Sequence, residues 1–230
     1  MKSIGLLGGM SWESTLTYYK LLNEGINQQL GGLHSAKILL NSVDFHEIEA
    51  LQHQGHWEET ATILTAAAQS VAQAGAEFLM ICTNTMHKVA PQIEANVSIP
   101  LLHIADATGE ALIRQGITKV GLLGTAFTME QDFYKQRLVD KFGIEVFVPN
   151  GVQRKLVHNV IYNELCRGTV TRRSKHDFQT IIDDLSADGA QGVILGCTEI
   201  GMLISDQDSS IPVFDTTKIH TDAAIALALS

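Results

Sequence analysis

Cysteine is scarce in this chain, whose 230 residues include three: Cys82, Cys166 and Cys197. No two of them have the CxxC spacing, and their number is odd. Such a set argues against a disulfide framework and for a reducing compartment. The cysteines that are present are therefore candidates for packing or for chemistry at a site, and not for covalent stabilisation of the fold.

Long apolar runs are also missing. No stretch approaches the roughly 18 apolar residues of a membrane span. The apolar run after Lys2 ends at Trp12 and Glu13 without a small-residue cleavage pattern, so no signal peptide is expected. The sequence predicts a cytoplasmic protein without a membrane partner.

Basic residues are few, with 16 Lys and Arg against 25 Asp and Glu and a formal net charge of −9. No Lys/Arg run is present, so neither a global nor a local basic surface for nucleic acid is expected. The segment GLLGGMS (5–11) lacks the G-x-G-x-x-G pattern, and no Walker sequence occurs, which argues against a nucleotide site. His53 and His56 have no second ligand pair, so no metal site is predicted.

Short apolar runs alternate with longer helical patterns along the whole chain. This alternation predicts parallel sheets with crossover helices, and the continuous apolar strands indicate sheets covered on both faces. The predicted strands lie at 3–8, 36–43, 77–83, 99–104, 119–124, 144–149, 192–197 and 211–215, and the predicted helices at about 14–30, 57–74, 87–95, 129–142, 152–167, 174–187 and 217–229.

The two halves of the chain resemble each other. Three pairs of segments match in the same order and at nearly constant spacing, which indicates duplication of a roughly 110-residue unit. The pairs are GLLG at 5–8 and 121–124, AGAEFLMICT at 74–83 with DGAQGVILGC at 188–197, and IPLLHIAD at 99–106 with IPVFDTTK at 211–218.

The duplication predicts two pseudo-symmetric α/β lobes, each a mainly parallel four-stranded sheet flanked by helices. We expect the first lobe to comprise residues 1–100 with 213–230, and the second to comprise 101–212. Two similar α/β lobes usually place a small-molecule site in the cleft between them, at the carboxyl ends of the strands.

The stretch CTNTMHK (82–88) places a thiol beside a hydroxyl. In the ungapped alignment of the halves, Cys197 falls opposite Thr83 and Gly196 falls opposite Cys82. Cys82 would point to the other face of its strand and is interpreted as a small buried hydrophobe. A turn after Cys197 would aim N–H groups at its thiol and lower the thiol pKa, which suits a nucleophile or a base. A second structural cysteine is the alternative.

Together the segments GLLGGMSWEST, CTNTMH and LGCTEIG resemble the aspartate/glutamate racemase family, which is independent of pyridoxal phosphate. The resemblance covers the whole chain and implies two pseudo-symmetric α/β lobes, no cofactor, a small amino-acid substrate and a possible homodimer. In that family two cysteines face each other across a cleft. One removes the α-proton from one enantiomer, and the other returns a proton to the opposite face.

The family's second cysteine maps to Cys197, but its first maps to Thr83. The chain is thereby similar to the subgroup of L-aspartate/glutamate-specific racemases, in which threonine replaces that cysteine. A threonine hydroxyl is too weak an acid to rest as an alkoxide at neutral pH, although it can donate or relay a proton. The resemblance implies that Cys197 faces the α-hydrogen of L-substrates, so we expect L-forms to be deprotonated readily and D-forms poorly.

Several further residues are candidates for substrate binding. The α-carboxylate of an amino acid gains charge as the α-proton leaves, and N–H groups at loop-to-helix junctions suit it. Glu199 is a candidate partner of the substrate ammonium, or a helix-start carboxylate favoured by the dipole. The junction candidates are Met10, Ser11, Asn84 and Thr85, with Thr125, Thr128 and Thr198 added by the resemblance.

Two other positions are weighed for the same site. His87 either orients or relays protons near Thr83, or only makes a hydrogen bond in a first turn. Many relatives have a basic residue after the second strand that binds a side-chain carboxylate. Here the region 42–54 lacks Arg and Lys, which leaves His46 and Gln52 as polar candidates.

The leading interpretation is thus a cofactor-independent aspartate/glutamate racemase. The enzymatic alternative is a single-cysteine decarboxylase of malonate-type acids or an isomerase of small dicarboxylic acids, and release of carbon dioxide would identify the decarboxylase. The alternative of another class is a two-lobed protein that binds small acids without reaction.

Overall fold

A computed structural model describes all 230 residues of the chain, and it confirms the α/β class with parallel sheets. The strands are β1 (Ile4–Gly8), β2 (Ile38–Ser42), β3 (Phe78–Ile81), β4 (Lys119–Gly124), β5 (Glu145–Phe147), β6 (Val193–Gly196) and β7 (Val213–Asp215). The α-helices are α1 (Trp12–Leu30), α2 (Phe45–Gln54), α3 (Trp57–Gln73), α4 (Ala90–Asn96), α5 (Ile104–Arg114), α6 (Ala126–Glu130), α7 (Asp132–Phe142), α8 (Gly151–Asn163), α9 (Arg172–Ala187) and α10 (Thr216–Leu229).

The first compact unit comprises Met1–Ile104 and His220–Ser230. Its sheet has the order β2-β1-β3, and both strand pairs are parallel. Side chains alternate along the buried central strand β1. Ile4 and Leu6 pack in a core cluster with residues of α1 and α10, and Leu7 packs in another with residues of α2, α3 and α4. Both faces of this sheet are therefore covered, as the continuous apolar strands predict.

The C-terminal helix α10 completes the first of these clusters. Ala224, Ile225 and Ala228 pack there beside Tyr18 of α1. A methyl group on Gly25 of α1 would overlap the end of the Ile225 side chain, so the two helices approach closely here and a larger residue would displace that side chain.

A buried histidine of α10 joins two other segments of the first unit. His220 is 0% exposed, its Nε2 donates to the Leu102 carbonyl at 2.8 Å, and its Nδ1 accepts from the Tyr18 hydroxyl at 2.9 Å. Burial lowers the pKa of His220 to about 4, from an ordinary value of 6.5. The ring is therefore neutral at physiological pH, and both of its nitrogens make hydrogen bonds.

This histidine makes the fold sensitive to acid. Above pH 6.5 the group is neutral in both states, whereas between pH 6.5 and about 4 only the unfolded chain takes up its proton. Over that interval we expect about 3 kcal/mol of the free energy of unfolding to be lost through this group. Urea denaturation as a function of pH should show a smaller acid slope in His220→Gln, and identical slopes would contradict the assignment.

The second compact unit comprises Ala105–Ile219. Its sheet has the order β5-β4-β6-β7, again with every pair parallel. Leu123 of β4 and Leu195 of β6 pack with Phe178 and Ile182 of α9 and with residues of α8 in one core cluster.

The two units repeat one topology, because β2-β1-β3 and β5-β4-β6 have the same order and direction. Their fourth strands differ. The second unit has β7, whereas the first has only an isolated parallel bridge between Leu79 and Leu101. The predicted strand at 99–104 is therefore wrong beyond that bridge, since α5 already begins at Ile104.

The unit boundaries also differ from those expected. Residues 213–219 belong to the second unit, because β7 pairs with β6, and the chain returns to the first unit only at His220. Two helices have no counterpart in the sequence prediction, α2 and α5. None of the helices is long and apolar enough to cross a membrane.

Candidate active site

In the first unit, two loops leave the carboxyl ends of neighbouring parallel strands, β1 and β3. Ser11 caps the N-terminus of α1, and its hydroxyl accepts from the Ser14 amide at 3.3 Å. The Ser14 hydroxyl in turn donates to the Cys82 carbonyl at 2.6 Å. This bond joins the start of α1 to the segment that carries Thr83, so the loops that contain the predicted residues are held together.

Cys82 and Thr83 have different environments. The Cys82 side chain is 1% exposed and packs with Tyr18, Leu22 and Met80, and this burial raises the pKa of its thiol far above the usual range. The prediction that Cys82 is a core residue is confirmed. Thr83 is only partly buried, so of the two it is the residue within reach of a small molecule.

The other candidates of this unit are mostly buried. Met10, Asn84 and Thr85 are each less than a tenth exposed. Gln52 is 3% exposed and lies one turn from Ile48, the other buried residue of α2, which packs in the same cluster as Met10. Gln52 thus lies on the inward face of α2. His46, its sequence alternative, is exposed.

In the second unit, Thr125 and Thr128 follow β4. Thr125 caps the N-terminus of α6, and its hydroxyl accepts from the Thr128 amide at 3.4 Å and lies 3.3 Å from the Thr128 hydroxyl. Glycine is favoured where this turn meets the sheet, since a Cβ on Gly124 would lie 3.0 Å from the Gly196 carbonyl. Residues of β4 and β6 therefore approach closely just before Cys197.

Cys197 follows β6 directly and is linked to an acid. Its Sγ donates to Glu199 Oε2 at 2.9 Å, and the Thr198 hydroxyl donates to the same oxygen at 2.7 Å. Cys197 is partly buried, whereas Glu199 is only 8% exposed. The carboxylate expected to meet a substrate ammonium is thus engaged by the neighbouring thiol and hydroxyl.

The pKa of Cys197 differs from the sequence expectation. Burial raises it well above the ordinary value, and the charge of Glu199 and the hydrogen bond to that carboxylate raise it further. The one lowering contribution comes from the Glu199 amide. The segment after Cys197 is a 3-10 helix of five residues, too short to outweigh a carboxylate two positions away. At neutral pH the group rests as a thiol.

A histidine that the sequence analysis did not single out contacts the turn at Thr125. His158 of α8 accepts at Nδ1 from the Ala126 amide at 3.2 Å, and its ring lies 4.8 Å from that of Tyr162. The spacing of four residues puts both rings on one face of α8. A motif search does not reveal such a pair, because its partner amide is remote in sequence.

No group of three or more His, Cys, Asp or Glu side chains is arranged to hold a metal ion anywhere in the 230 residues.

Comparison with known proteins gives concordant matches. The family model for Asp/Glu/hydantoin racemases matches residues 7–224. The broad specificity amino-acid racemase RacX of Bacillus subtilis is 22% identical over 99% of this chain and 98% of its own.

Solved structures resemble the whole chain. A Yersinia pestis protein whose name places it among the Asp/Glu racemases is 56% identical, with a TM-score of 0.95 and full coverage of both chains. An aspartate racemase homologue from Pyrococcus horikoshii is 36% identical, with a TM-score of 0.88 and the same coverage. The family model and these relatives span nearly every described element, so the chain belongs to the Asp/Glu/hydantoin racemase family and is an isomerase of the racemase type.

Proposed function

We propose that the chain racemises aspartate or glutamate without a cofactor, with Cys197 acting on the α-hydrogen of the L-enantiomer and Thr83 acting on the opposite face. The observation that carries the proposal is the 2.9 Å hydrogen bond from the Cys197 thiol to Glu199. It supplies what a neutral thiol lacks as a base, namely an acceptor for its own proton.

The proton transfers on the Cys197 side balance as follows. As the sulfur takes the α-proton of the L-amino acid, the thiol proton passes to Glu199 Oε2, and the electron pair of the C–H bond stays on the α-carbon. Thr198 donates to the same oxygen and holds it in place. Glu199 therefore acts through Cys197 in this scheme.

Thr83 completes the reaction by donating its hydroxyl proton to the other face of the carbanion. Water then returns a proton to Thr83, and the hydroxide that is left takes the proton from Glu199, so both groups regain their starting states. Its partial exposure supports this role. A hydroxyl is a far poorer base than a thiolate, so the reverse removal of a proton from the D-enantiomer is slow. The scheme therefore predicts exchange that depends strongly on the hand of the substrate.

Substrate binding is proposed for the capped turns of both units. Ser11 and Thr125 each cap a helix that follows an inner strand of its sheet, and amides at such turns suit an α-carboxylate. The remaining predicted contacts are Met10, Asn84, Thr85, Thr128 and Thr198. Buried Gln52 is proposed as the neutral donor to the side-chain carboxylate, since the region 42–54 has no Arg or Lys.

The direct test is α-hydrogen exchange in heavy water, followed by proton NMR on separate D- and L-amino acids. We expect exchange from L-aspartate or L-glutamate to be faster than from the D-forms, and other side chains to react less. Equal exchange from both enantiomers would contradict the assignment of roles. Absence of exchange with every amino acid, together with carbon dioxide release from a substituted malonate, would favour decarboxylation.

Thr83→Cys should restore the second thiol and speed reaction from the D side by on the order of 10-fold or more, because a thiol gives up its proton far more readily than a hydroxyl. Thr83→Ser is the matched control, since it retains the hydroxyl and should keep the asymmetry of the parent. If Thr83→Cys leaves the D-rate unchanged, Thr83 is not the group on that face.

A further inference from the structure

The turn that carries Thr83 is held by a histidine whose two ring nitrogens have defined partners. His87 Nδ1 lies 2.8 Å from the Thr83 carbonyl oxygen, which can only accept, so this nitrogen bears the proton. The Ile104 amide donates to His87 Nε2 at 3.2 Å. The contacts thus select one neutral tautomer, with a donor toward Thr83 and an acceptor toward Ile104.

Two other histidine rings lie beside this imidazole. His87 is 1% exposed, and its ring centroid lies 4.5 Å from that of His103 and 5.9 Å from that of His220. His220 is itself fixed by Tyr18 and by the Leu102 carbonyl. Burial and the two histidines lower the pKa of His87 well below 6.5, so the ring stays neutral at physiological pH.

Two residues that contact His87 lie where the chain passes from one unit to the other. Ile104 is the last residue before the chain enters the second unit, and His220 is the first after it returns. His87 accepts from the former and packs beside the latter. The turn at Thr83 is therefore bonded to the backbone at one crossing and in ring contact with the other.

We propose that His87 is the positioning residue for Thr83: its imidazole, clamped between the Thr83 carbonyl and the Ile104 amide, sets the direction of the Thr83 hydroxyl. The carbonyl and the side chain share one α-carbon, and a β-branched side chain has few χ1 rotamers. Fixing the peptide plane therefore limits where the hydroxyl points. Because a displacement of about 1 Å can cost a reaction step on the order of 10²-fold, this constraint matters for proton delivery.

The inference rests on the proposed function, and three variants of His87 test it. An Asn amide nitrogen reaches about as far as Nδ1 and can still donate to Thr83. A Gln amide reaches the position of Nε2 and loses that donor, and Leu loses both contacts. We expect His87→Gln and His87→Leu to lower racemisation by roughly 10- to 100-fold, and His87→Asn by only a few-fold.

The decisive readout is a split between two rates, the rate of L-α-hydrogen exchange and the rate of racemisation. Exchange of the L-α-hydrogen depends on Cys197, so in His87→Gln it should stay within about 2-fold of the parent while racemisation falls. His103→Gln is the matched control, because it alters a buried ring of the same cluster and should show no split. An equal fall of both rates in His87→Gln, or full racemisation by it, would overturn the proposal.

A measurement on the unmodified protein separates failure of this inference from failure of the proposed function. Nitrogen-15 NMR of the imidazoles should show His87 neutral and protonated at Nδ1 at pH 7, whatever the protein catalyses. An Nε2-protonated ring would overturn the inference even if racemisation is found. Conversely, no α-exchange by a protein with the expected tautomer would refute the proposed function and, with it, the role assigned to His87.

Discussion

Replacing Cys197 with alanine is expected to lower α-hydrogen exchange from L-aspartate by about 10³-fold, within the range usual for loss of a positioned acid or base. The thiol is the group that meets the L-face in the proposed scheme, and Glu199, which accepts from that thiol, acts only through it. Heavy-water exchange followed by NMR measures the effect. The exchange rate of Cys197→Ser should fall nearly as far, since a hydroxyl at the same place is a poorer acid.

Cys166→Ala is the control for that loss. Cys166 packs against the same core cluster as Cys197 and is near enough to influence its pKa, yet it has no role in the scheme. Its rate should stay within about 3-fold of the parent. Exchange that persists in Cys197→Ala, with a melting temperature like that of the parent, would show that another group removes the proton.

Glu199→Gln is expected to lower the same rate by about 10²-fold at pH 7, because the thiol loses its proton acceptor. The pH profile should also change. In the parent, burial and Glu199 raise the pKa of Cys197, so the thiolate fraction and the rate increase as the pH rises into the alkaline range. Without the carboxylate charge the thiol pKa falls, so the remaining activity should increase at lower pH than in the parent.

Thr198→Val serves as the comparison for Glu199. It removes the second donor to Glu199 Oε2 but keeps the thiol–carboxylate bond, so a loss of only a few-fold and an unchanged profile are expected. An unshifted profile in Glu199→Gln would mean that the carboxylate does not control the charge of the sulfur. The acceptor role of Glu199 would then have to be abandoned.

The parts of this molecule that follow from local sequence were predictable. The aligned halves put Thr83 and Cys197 after corresponding strands, and β3 and β6 do hold corresponding places in their sheets. Strand alternation placed Cys82 in the core, where it lies. These inferences needed only the alternation of side chains along a strand, the order of the matching segments and the apolar character of the strands.

Other features depend on contacts that no short segment encodes. The resting state of Cys197 is set by a five-residue 3-10 helix that turns Glu199 back onto the thiol, and residue types alone do not distinguish this from a favourable helix start. The bond from His220 to Leu102 joins residues 118 positions apart. The bridge at Leu101 in place of a full strand likewise reflects how soon α5 begins.

The return of α10 to the first unit has a consequence for biosynthesis. The cluster around Tyr18 needs Ala224, Ile225 and Ala228, whereas the second unit is the contiguous segment 105–219. During synthesis the first unit can therefore complete its core only after the whole second unit has been made, although most of the first unit is translated earlier. A chain truncated after residue 219 should resist protease in the second unit while the segment with Thr83 is cleaved.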